Sequence, residues 1–314
     1  MKLSTLIHYR NLLKEHTPGD MSGVMNKNAG HALYLAKEHE LQFSDLTTQL
    51  DNDYQNIIQS FSKFSNTITD IQDRITHLIN EIEPQYYSEI SRAYKYEWSR
   101  HSVNTVFERK LPLTDGTAEY IRNRIKLYGG WQYPGFIIRP ALDLWIKDLV
   151  ACDPLYIADQ NLELLQPALD QFHEQYQNRL RIYSINDYVD NPILKLLPEN
   201  QFGFCLFYNF FNYKPMEIVK TYLSEIYSKL RPGGVLAFTF NDCDNHVAVE
   251  LAERNYMSYT PGHLIFDFCK HINYELVQTH QVGSGTSWVE LKKPGVLSSL
   301  RGGQSLARIV AKSK

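Results

Sequence analysis

After Trp131 the chain alternates between short apolar runs and helical stretches. This alternation is typical of a mostly parallel sheet with helices on both faces, because parallel neighbours need a crossover connection. The last two runs are close together along the chain, so we expect them to form an antiparallel hairpin at the sheet edge. The sequence therefore predicts an α/β fold whose strands are GFIIRP, PLYIAD, RLRIYSI, FGFCLFYN, GVLAFTF, YELVQTH and SWVELKK.

Length and composition narrow the class of protein. The 314 residues are 43% hydrophobic, which is enough for one large domain or two ordinary ones with a buried core. The net charge of −3, with acids and bases interspersed, indicates neither nucleic acid nor membrane as a partner. No run approaches the roughly 18 apolar residues of a membrane span, and no signal segment is evident, so we expect a cytoplasmic location. The four cysteines form no CxxC pair, so neither a metal site nor a disulfide framework is predicted.

A long apolar row precedes the α/β part of the sequence. Its members are three or four residues apart over about five heptads, which predicts one long helix with a heptad seam. We expect Pro84 to end this helix, which at ~1.5 Å per residue is roughly 60 Å long. The row comprises Phe43, Leu46, Leu50, Tyr54, Ile57, Phe61, Phe64, Ile68, Ile71, Ile75, Leu78 and Ile82.

Two arrangements of this helix remain open. In one, the seam packs inside the chain, against the helical stretch around Leu6 to Leu13 or against later aromatic residues. In the other, residues 40–82 form an intermolecular coiled coil and the protein is a homo-oligomer. Lys and Glu are sparse on the outer faces of the helix, so charge pairs do not define the number of chains.

The chain between the long helix and the first strand is aromatic and mixed. Residues Thr117 to Tyr128 are predicted to form a helix that Gly129 and Gly130 close. We place a domain boundary near residue 110. The predicted organisation is a helical, coiled-coil region over 1–110, an α/β domain over 111–295 and a basic tail over 296–314.

The segment from Glu217 to Phe240, EIVKTYLSEIYSKLRPGGVLAFTF, has the most specific pattern in the chain. A helix ends in Leu-Arg-Pro-Gly-Gly and a buried strand follows at once. This closely resembles the junction before strand five in class I S-adenosylmethionine-dependent methyltransferases. The resemblance covers roughly residues 115 to 295. It implies a Rossmann-like, mostly parallel sheet with an antiparallel edge hairpin, S-adenosylmethionine as cofactor, and methyl transfer to an acceptor that the sequence does not identify.

The same resemblance implies which residues contact the cofactor. In the family, a loop after strand one approaches the ligand, an acid at the end of strand two bonds the ribose, polar residues after strand three lie near the adenine, and strand four ends beside the methyl group. The candidate catalytic residues are Tyr208, Asn209 and His246, with Asp242 and Tyr133 as further candidate bases. The implied cofactor-binding positions are Arg139, Ala141, Asp143, Asp159, Gln160, Asn186, Asp187 and Tyr208.

The turn RPALD departs from the family pattern. Aligning PLYIAD with strand two places Arg139, Ala141 and Asp143 where the family has glycines, and the family's acid becomes Ile137. Arg139 and Asp143 are expected to pair and to fill the space that the methionine part of the cofactor uses. An alternative register takes Gly129, Gly130 and Gly135 as the loop, but it leaves FIIRP without a role.

Two functions follow from these residues. One is S-adenosylmethionine-dependent methyl transfer. The alternative is a catalytically inactive protein that keeps the fold and assembles through its coiled coil, because a fold does not establish an activity. A dinucleotide oxidoreductase is disfavoured, since no GxGxxG follows a strand. The site residues also have plain structural readings: Asp159 as a helix N-cap, Asp187 as a turn residue, and Tyr208 and Asn209 as strand-end packing.

Overall fold

The computed structural model describes residues 2–15, 44–100, 115–138, 145–159, 162, 169–170, 172–187, 189–254 and 257–297. The chain divides into two compact units, residues 1–84 and residues 85–314. The predicted boundary near residue 110 falls among residues 101–114, outside the described ones, so it stays a prediction. The same holds for the predicted basic tail, of which only residues 296 and 297 are described.

The described residues of the N-terminal part of the chain form the helices α1 (Leu3–Glu15) and α2 (Ser44–Arg100). The predicted long helix is confirmed, but the prediction that Pro84 ends it is wrong. Proline has a backbone φ that suits a helix, and its cost is one backbone hydrogen bond and a close contact with the preceding turn. That local cost does not outweigh the backbone hydrogen bonds of the turns on either side, so α2 continues to Arg100.

The second unit contains α3 (Asp115–Tyr128) and a seven-stranded sheet. The strand order is β3-β2-β1-β4-β5-β7-β6, and β7 pairs antiparallel with both β5 and β6 while the other neighbours are parallel. All seven predicted strands are present, and the edge hairpin is confirmed. The strands are β1 (Gly135–Ile138), β2 (Leu155–Asp159), β3 (Leu180–Ser184), β4 (Phe202–Phe207), β5 (Leu230–Asn241), β6 (Glu275–Gly283) and β7 (Thr286–Lys292).

Alternate strand residues contribute to two separate hydrophobic clusters. In β1, Phe136 and Ile138 belong to one cluster and Ile137 to the other. Successive side chains of a strand point to opposite faces, so the sheet is covered on both sides, as parallel sheets require. The fold is therefore the predicted α/β, class I methyltransferase-like arrangement. The remaining described helices are α4 (Glu174–Gln177), α5 (Met216–Lys229), α6 (His246–Glu253) and α7 (Gly262–His271).

The Leu-Arg-Pro-Gly-Gly junction forms a direct passage from helix to strand. Helix α5 ends at Lys229 and β5 begins with Leu230, so the motif lies in the strand rather than in the last helical turn. Gly233 has a φ of +80°, and a Cβ there would overlap the backbone of Leu297. The glycine predicted from the motif is therefore required by its conformation and by the close approach of the chain.

A buried charged network joins α3 to the hairpin. Arg124 donates to both carboxylate oxygens of Glu290, at 2.7 and 2.5 Å, and the Tyr128 hydroxyl and Trp288 indole donate to the same carboxylate. The Glu290 side chain is fully buried. Burial by itself raises the pKa of Glu290, but the hydrogen bonds from Arg124, Tyr128 and Trp288 outweigh it and leave this pKa below its ordinary value.

Within the described residues, no helix combines the length and the apolar character needed to cross a membrane.

Candidate functional site

The strand order reverses direction at β1, which defines a position for a ligand. From β1 the chain order proceeds through β2 and β3 on one side and through β4 and β5 on the other. In open α/β sheets, ligands bind outside the carboxyl ends of the strands at this switch point. The register pairs Ile138 with Ala158 and Ile137 with Leu206. Asp159 and Tyr208 therefore lie at one level just beyond β1, two strand spacings or roughly 10 Å apart.

Asp159 is the last residue of β2, and its residue surface is only 6% exposed. Its predicted place at the carboxyl end of the second strand is confirmed. Residues 160–161 and 163–168, which would show whether Asp159 also caps a helix, lie outside the described residues. Gln160 lies among them, so its predicted cofactor contact is untested.

The turn after β1 begins at residue 139, because β1 ends at Ile138. Arg139, Ala141 and Asp143 lie outside the described residues, so their replacement of the glycine loop stays a prediction. The alternative register is wrong. Gly135 opens β1 at the opposite edge of the sheet, and the Gly129 N–H donates to the Ile125 carbonyl at 2.7 Å at the end of α3.

Tyr208 and Asn209 follow β4 at the same edge, next to Trp145. Both Asn209 (φ +50°) and Trp145 (φ +74°) have left-handed backbone conformations, and the Trp145 and Tyr208 rings meet edge to face with centroids 5.5 Å apart. Each of the three residues is at most 8% exposed. Among the residues that the structure describes, Tyr208 Oη, Asn209 Oδ1 and Trp145 Nε1 have no hydrogen-bond partner.

Each of these three atoms lowers the stability of the folded protein unless a ligand or a bound water pairs with it. Leaving a buried donor or acceptor unpaired destabilises a protein by about 1–3 kcal/mol. Trp145 supplies a donor, Asn209 an acceptor and Tyr208 both. Burial, with a smaller contribution from Tyr213, raises the pKa of Tyr208 well above its ordinary value. The phenol therefore stays protonated at neutral pH and can hold a ligand by hydrogen bonds, whereas it cannot serve as a general base.

A buried polar chain fixes the turn after β4. The Asn209 N–H donates to Thr239 Oγ1 at 2.7 Å, and the Thr239 hydroxyl donates to Asn212 Oδ1 at 3.0 Å. Asn212 and Thr239 are fully buried. This chain holds Asn209 in its left-handed conformation and so orients its side chain at the sheet edge. Sequence reasoning missed Thr239 and Asn212; the second Asn of YNFFNY, a polar residue between aromatic ones, was the available signal.

Asp187 is held in a buried ion pair. Its Oδ2 lies 2.6 Å from Lys214 Nζ, and both side chains are fully buried. The Tyr222 hydroxyl donates to the same oxygen at 3.5 Å. The Asn186 N–H donates to Asp190 Oδ2 at 2.8 Å, which closes the turn that contains Asp187. A cofactor bound to Asp187 would share this carboxylate with Lys214, a residue that the sequence analysis did not select.

The candidates after β5 lie beside the starts of helices α6 and α7. His246 is the first residue of α6, whose start the Asn245 side chain caps by accepting from the Val247 N–H at 3.0 Å. Asp242 accepts from Ser287 Oγ at 2.8 Å, and burial, together with the charge of Asp244, raises its pKa. A Cβ on Gly262 would lie 2.5 Å from Asp242 Oδ1. Asp242 thus packs against the start of α7.

Tyr133 is excluded as a base for chemistry at the carboxyl edge. It precedes β1, and a Cβ on Gly203 near the start of β4 would lie 2.6 Å from the Tyr133 Cβ. A residue before a parallel strand lies at the amino edge of the sheet. Tyr133 is therefore at the edge opposite to Asp159 and Tyr208.

Comparison with known proteins gives similarity at the level of solved structures only. No protein-family model matches the sequence, and no curated protein matches it. A methyltransferase from Mesorhizobium loti that depends on S-adenosylmethionine is 10% identical, with 57% of this chain and 99% of that chain covered and a TM-score of 0.46. An N-methyltransferase from Bradyrhizobium japonicum is 13% identical, with 57% and 98% covered and a TM-score of 0.43.

An O-methyltransferase family 2 protein from Planctomyces limnophilus is 13% identical, with 57% of this chain and 58% of that chain covered and a TM-score of 0.43. All three scores are below 0.5. The assignment of the fold therefore rests on the strand order and the registers.

Proposed function

We propose that the protein transfers a methyl group from S-adenosylmethionine to an acceptor at the carboxyl edge of β1, β2 and β4. The observation that supports this most is the set of three unpaired buried atoms on Tyr208, Asn209 and Trp145, at the same edge as Asp159. A donor and an acceptor without partners suit the amino and carboxylate groups of an amino-acid moiety. Asp159 suits the hydroxyls of a ribose.

The residues act by positioning. When bound, S-adenosylmethionine supplies a sulfonium whose methyl group an acceptor can attack. Asp159 would accept hydrogen bonds from the ribose, while Trp145, Tyr208 and Asn209 would hold the other end of the ligand. Holding donor and acceptor in line supplies most of the acceleration in such a transfer, so no general base is required of Tyr208.

A second function keeps the fold without the reaction. The Asp187–Lys214 ion pair favours it, because it neutralises the carboxylate implied to lie near the adenine. The predicted replacement of loop glycines by Arg139 and Asp143 favours it also. On this alternative the protein is an inactive assembly protein that oligomerises through its long helix.

Calorimetric titration of the full-length protein with S-adenosylmethionine separates the two functions. If the protein transfers methyl groups, we expect a dissociation constant for S-adenosylmethionine in the micromolar range. The Asp159→Ala variant should bind the cofactor about 5- to 150-fold more weakly, a loss of about 1–3 kcal/mol in binding free energy. The matched control is Asp153→Ala. Asp153 precedes the same strand at its amino end, where it pairs with Arg179 at 3.1 Å, so its removal should leave the affinity unchanged. No binding at millimolar ligand would favour the assembly protein.

A further inference from the structure

Helix α2 has one apolar row on its exposed surface. In the predicted heptad seam, Ile68 is buried and Tyr54, Phe61, Ile75 and Ile82 are partly buried. Four further members of the seam, spaced seven residues apart, are exposed. We call these four residues the exposed row: Ile57 (50% exposed), Phe64 (56%), Ile71 (41%) and Leu78 (41%).

The spacing of the exposed row is that of a coiled coil. An α-helix has 3.6 residues per turn, so a strict seven-residue repeat drifts by ~20° per heptad unless the helix supercoils around a partner. The sequence continues the same repeat upstream, since Leu50 and Phe43 precede Ile57 at intervals of seven. Six apolar residues at successive intervals of seven, spanning five heptads, are more than a surface helix without a partner needs.

The length of the row indicates its occupant. From Ile57 to Leu78 it spans 21 residues, or roughly 32 Å. The other described helices have at most 14 residues, or roughly 21 Å, so none of them matches this row along its whole length. A second α2 matches it in both length and period. Of the three positions that flank the row at the same spacing, Ser60 and Thr67 are uncharged, and the third, Arg74, pairs with Asp70 of its own helix at 2.9 Å.

We propose that the exposed row is the contact surface for a second copy of this chain, and that the protein self-associates by a coiled coil of α2 helices. Packing of the row between copies removes four large apolar side chains per chain from water, which is the main driving force for such an association. The proposal concerns a surface on residues 57–78 and does not depend on methyl transfer.

Light scattering of the full-length protein tests the proposal. The wild type is expected to have a mass of at least twice the 36.6 kDa of one chain. Phe64→Glu combined with Ile71→Glu should reduce it to the mass of one chain. The control is Gln59→Glu combined with Asn66→Glu, two new charges at the same seven-residue spacing on exposed positions outside the row. A monomeric wild type, or an unchanged mass of the row variant, overturns the proposal.

Cross-linking tests the same surface without added charge. The four native cysteines are buried, so an introduced cysteine provides a distinct exposed thiol. Ile71→Cys should give a disulfide-linked dimer under mild oxidation if the helices are parallel. A mixture of Phe64→Cys and Ile71→Cys proteins should give one if they are antiparallel. Absence of a covalent dimer in both experiments overturns the proposal.

Discussion

Tyr208 and Tyr274 are both buried, but their hydroxyls differ. Tyr274 Oη donates to the Leu223 carbonyl at 3.1 Å, whereas Tyr208 Oη has no partner among the described residues. Removing a paired buried hydroxyl costs stability, while removing an unpaired one relieves a desolvation penalty. The Tyr274 hydroxyl therefore has a structural role, whereas the Tyr208 hydroxyl is available to a ligand.

We predict that Tyr208→Phe leaves the free energy of unfolding unchanged or raises it by up to about 1 kcal/mol, and weakens S-adenosylmethionine binding several-fold. Tyr274→Phe should do the reverse, with a loss of about 1 kcal/mol in stability and an unchanged affinity. Urea unfolding and calorimetric titration of both variants check this. A Tyr208→Phe protein that is less stable and binds normally would show that the hydroxyl has a structural role.

Asp187 and Lys214 form a buried ion pair, so removal of either side chain leaves a buried charge without its partner. Lys214→Met should destabilise the protein by about 3–5 kcal/mol, because it leaves a buried carboxylate without its partner. Combining it with Asp187→Asn should restore part of this loss, since no uncompensated charge remains. Unfolding midpoints of the single and double variants measure the coupling. Additive losses in the double variant would contradict a direct charge interaction.

At the scale of elements, the sequence predicts those strands and turns that depend on residues close together along the chain. Most strands contain a short apolar run, and Gly233 follows a proline that cannot continue the helix, so strands and junction could be located. Asp159 could be placed because a residue that ends a parallel strand lies at the carboxyl edge.

Contacts between distant segments could not be predicted in this way. Asp187 and Lys214 are 27 residues apart, and no periodicity relates them. Nor does any local pattern indicate that Trp145 has a left-handed conformation, from which hydrogen-bonded turns continue along the chain. The expectation that a proline ends a helix fails at Pro84, because the local cost of Pro84 does not end this long helix.

The network that attaches α3 to β7 gives a pH prediction at this scale. Because the folded state lowers the pKa of Glu290, the ionised carboxylate contributes stability above its ordinary pKa of 4.5, and this contribution is lost as the pH falls through the lower folded value. Glu290→Gln should therefore cost about 2–4 kcal/mol at pH 7. The difference from the wild type should shrink below about pH 4.5. Urea unfolding across this range measures it, and a pH-independent difference would contradict the assigned cause.

At the scale of the whole molecule, the proposed reaction and the proposed self-association belong to different parts of the chain. The site residues lie in the unit of residues 85–314, and the exposed row lies in residues 1–84. We therefore predict that Phe64→Glu combined with Ile71→Glu abolishes self-association and leaves the affinity for S-adenosylmethionine within about twofold of the wild type. Calorimetry on the variant used for light scattering provides the measurement. A large loss of affinity would show that the site needs the assembled protein.

We propose that an adenosyl ligand binds at the carboxyl edge of β1, β2 and β4. Hydrogen–deuterium exchange of the full-length protein, with and without saturating S-adenosylmethionine, tests it most directly because it locates the ligand along the chain. We predict slower exchange in peptides that contain Ala158–Asp159 and Tyr208–Asn212, with no change in peptides from the amino edge around Tyr133 and Gly203. Unchanged exchange at both carboxyl-edge segments, or protection at the amino edge instead, would contradict the account.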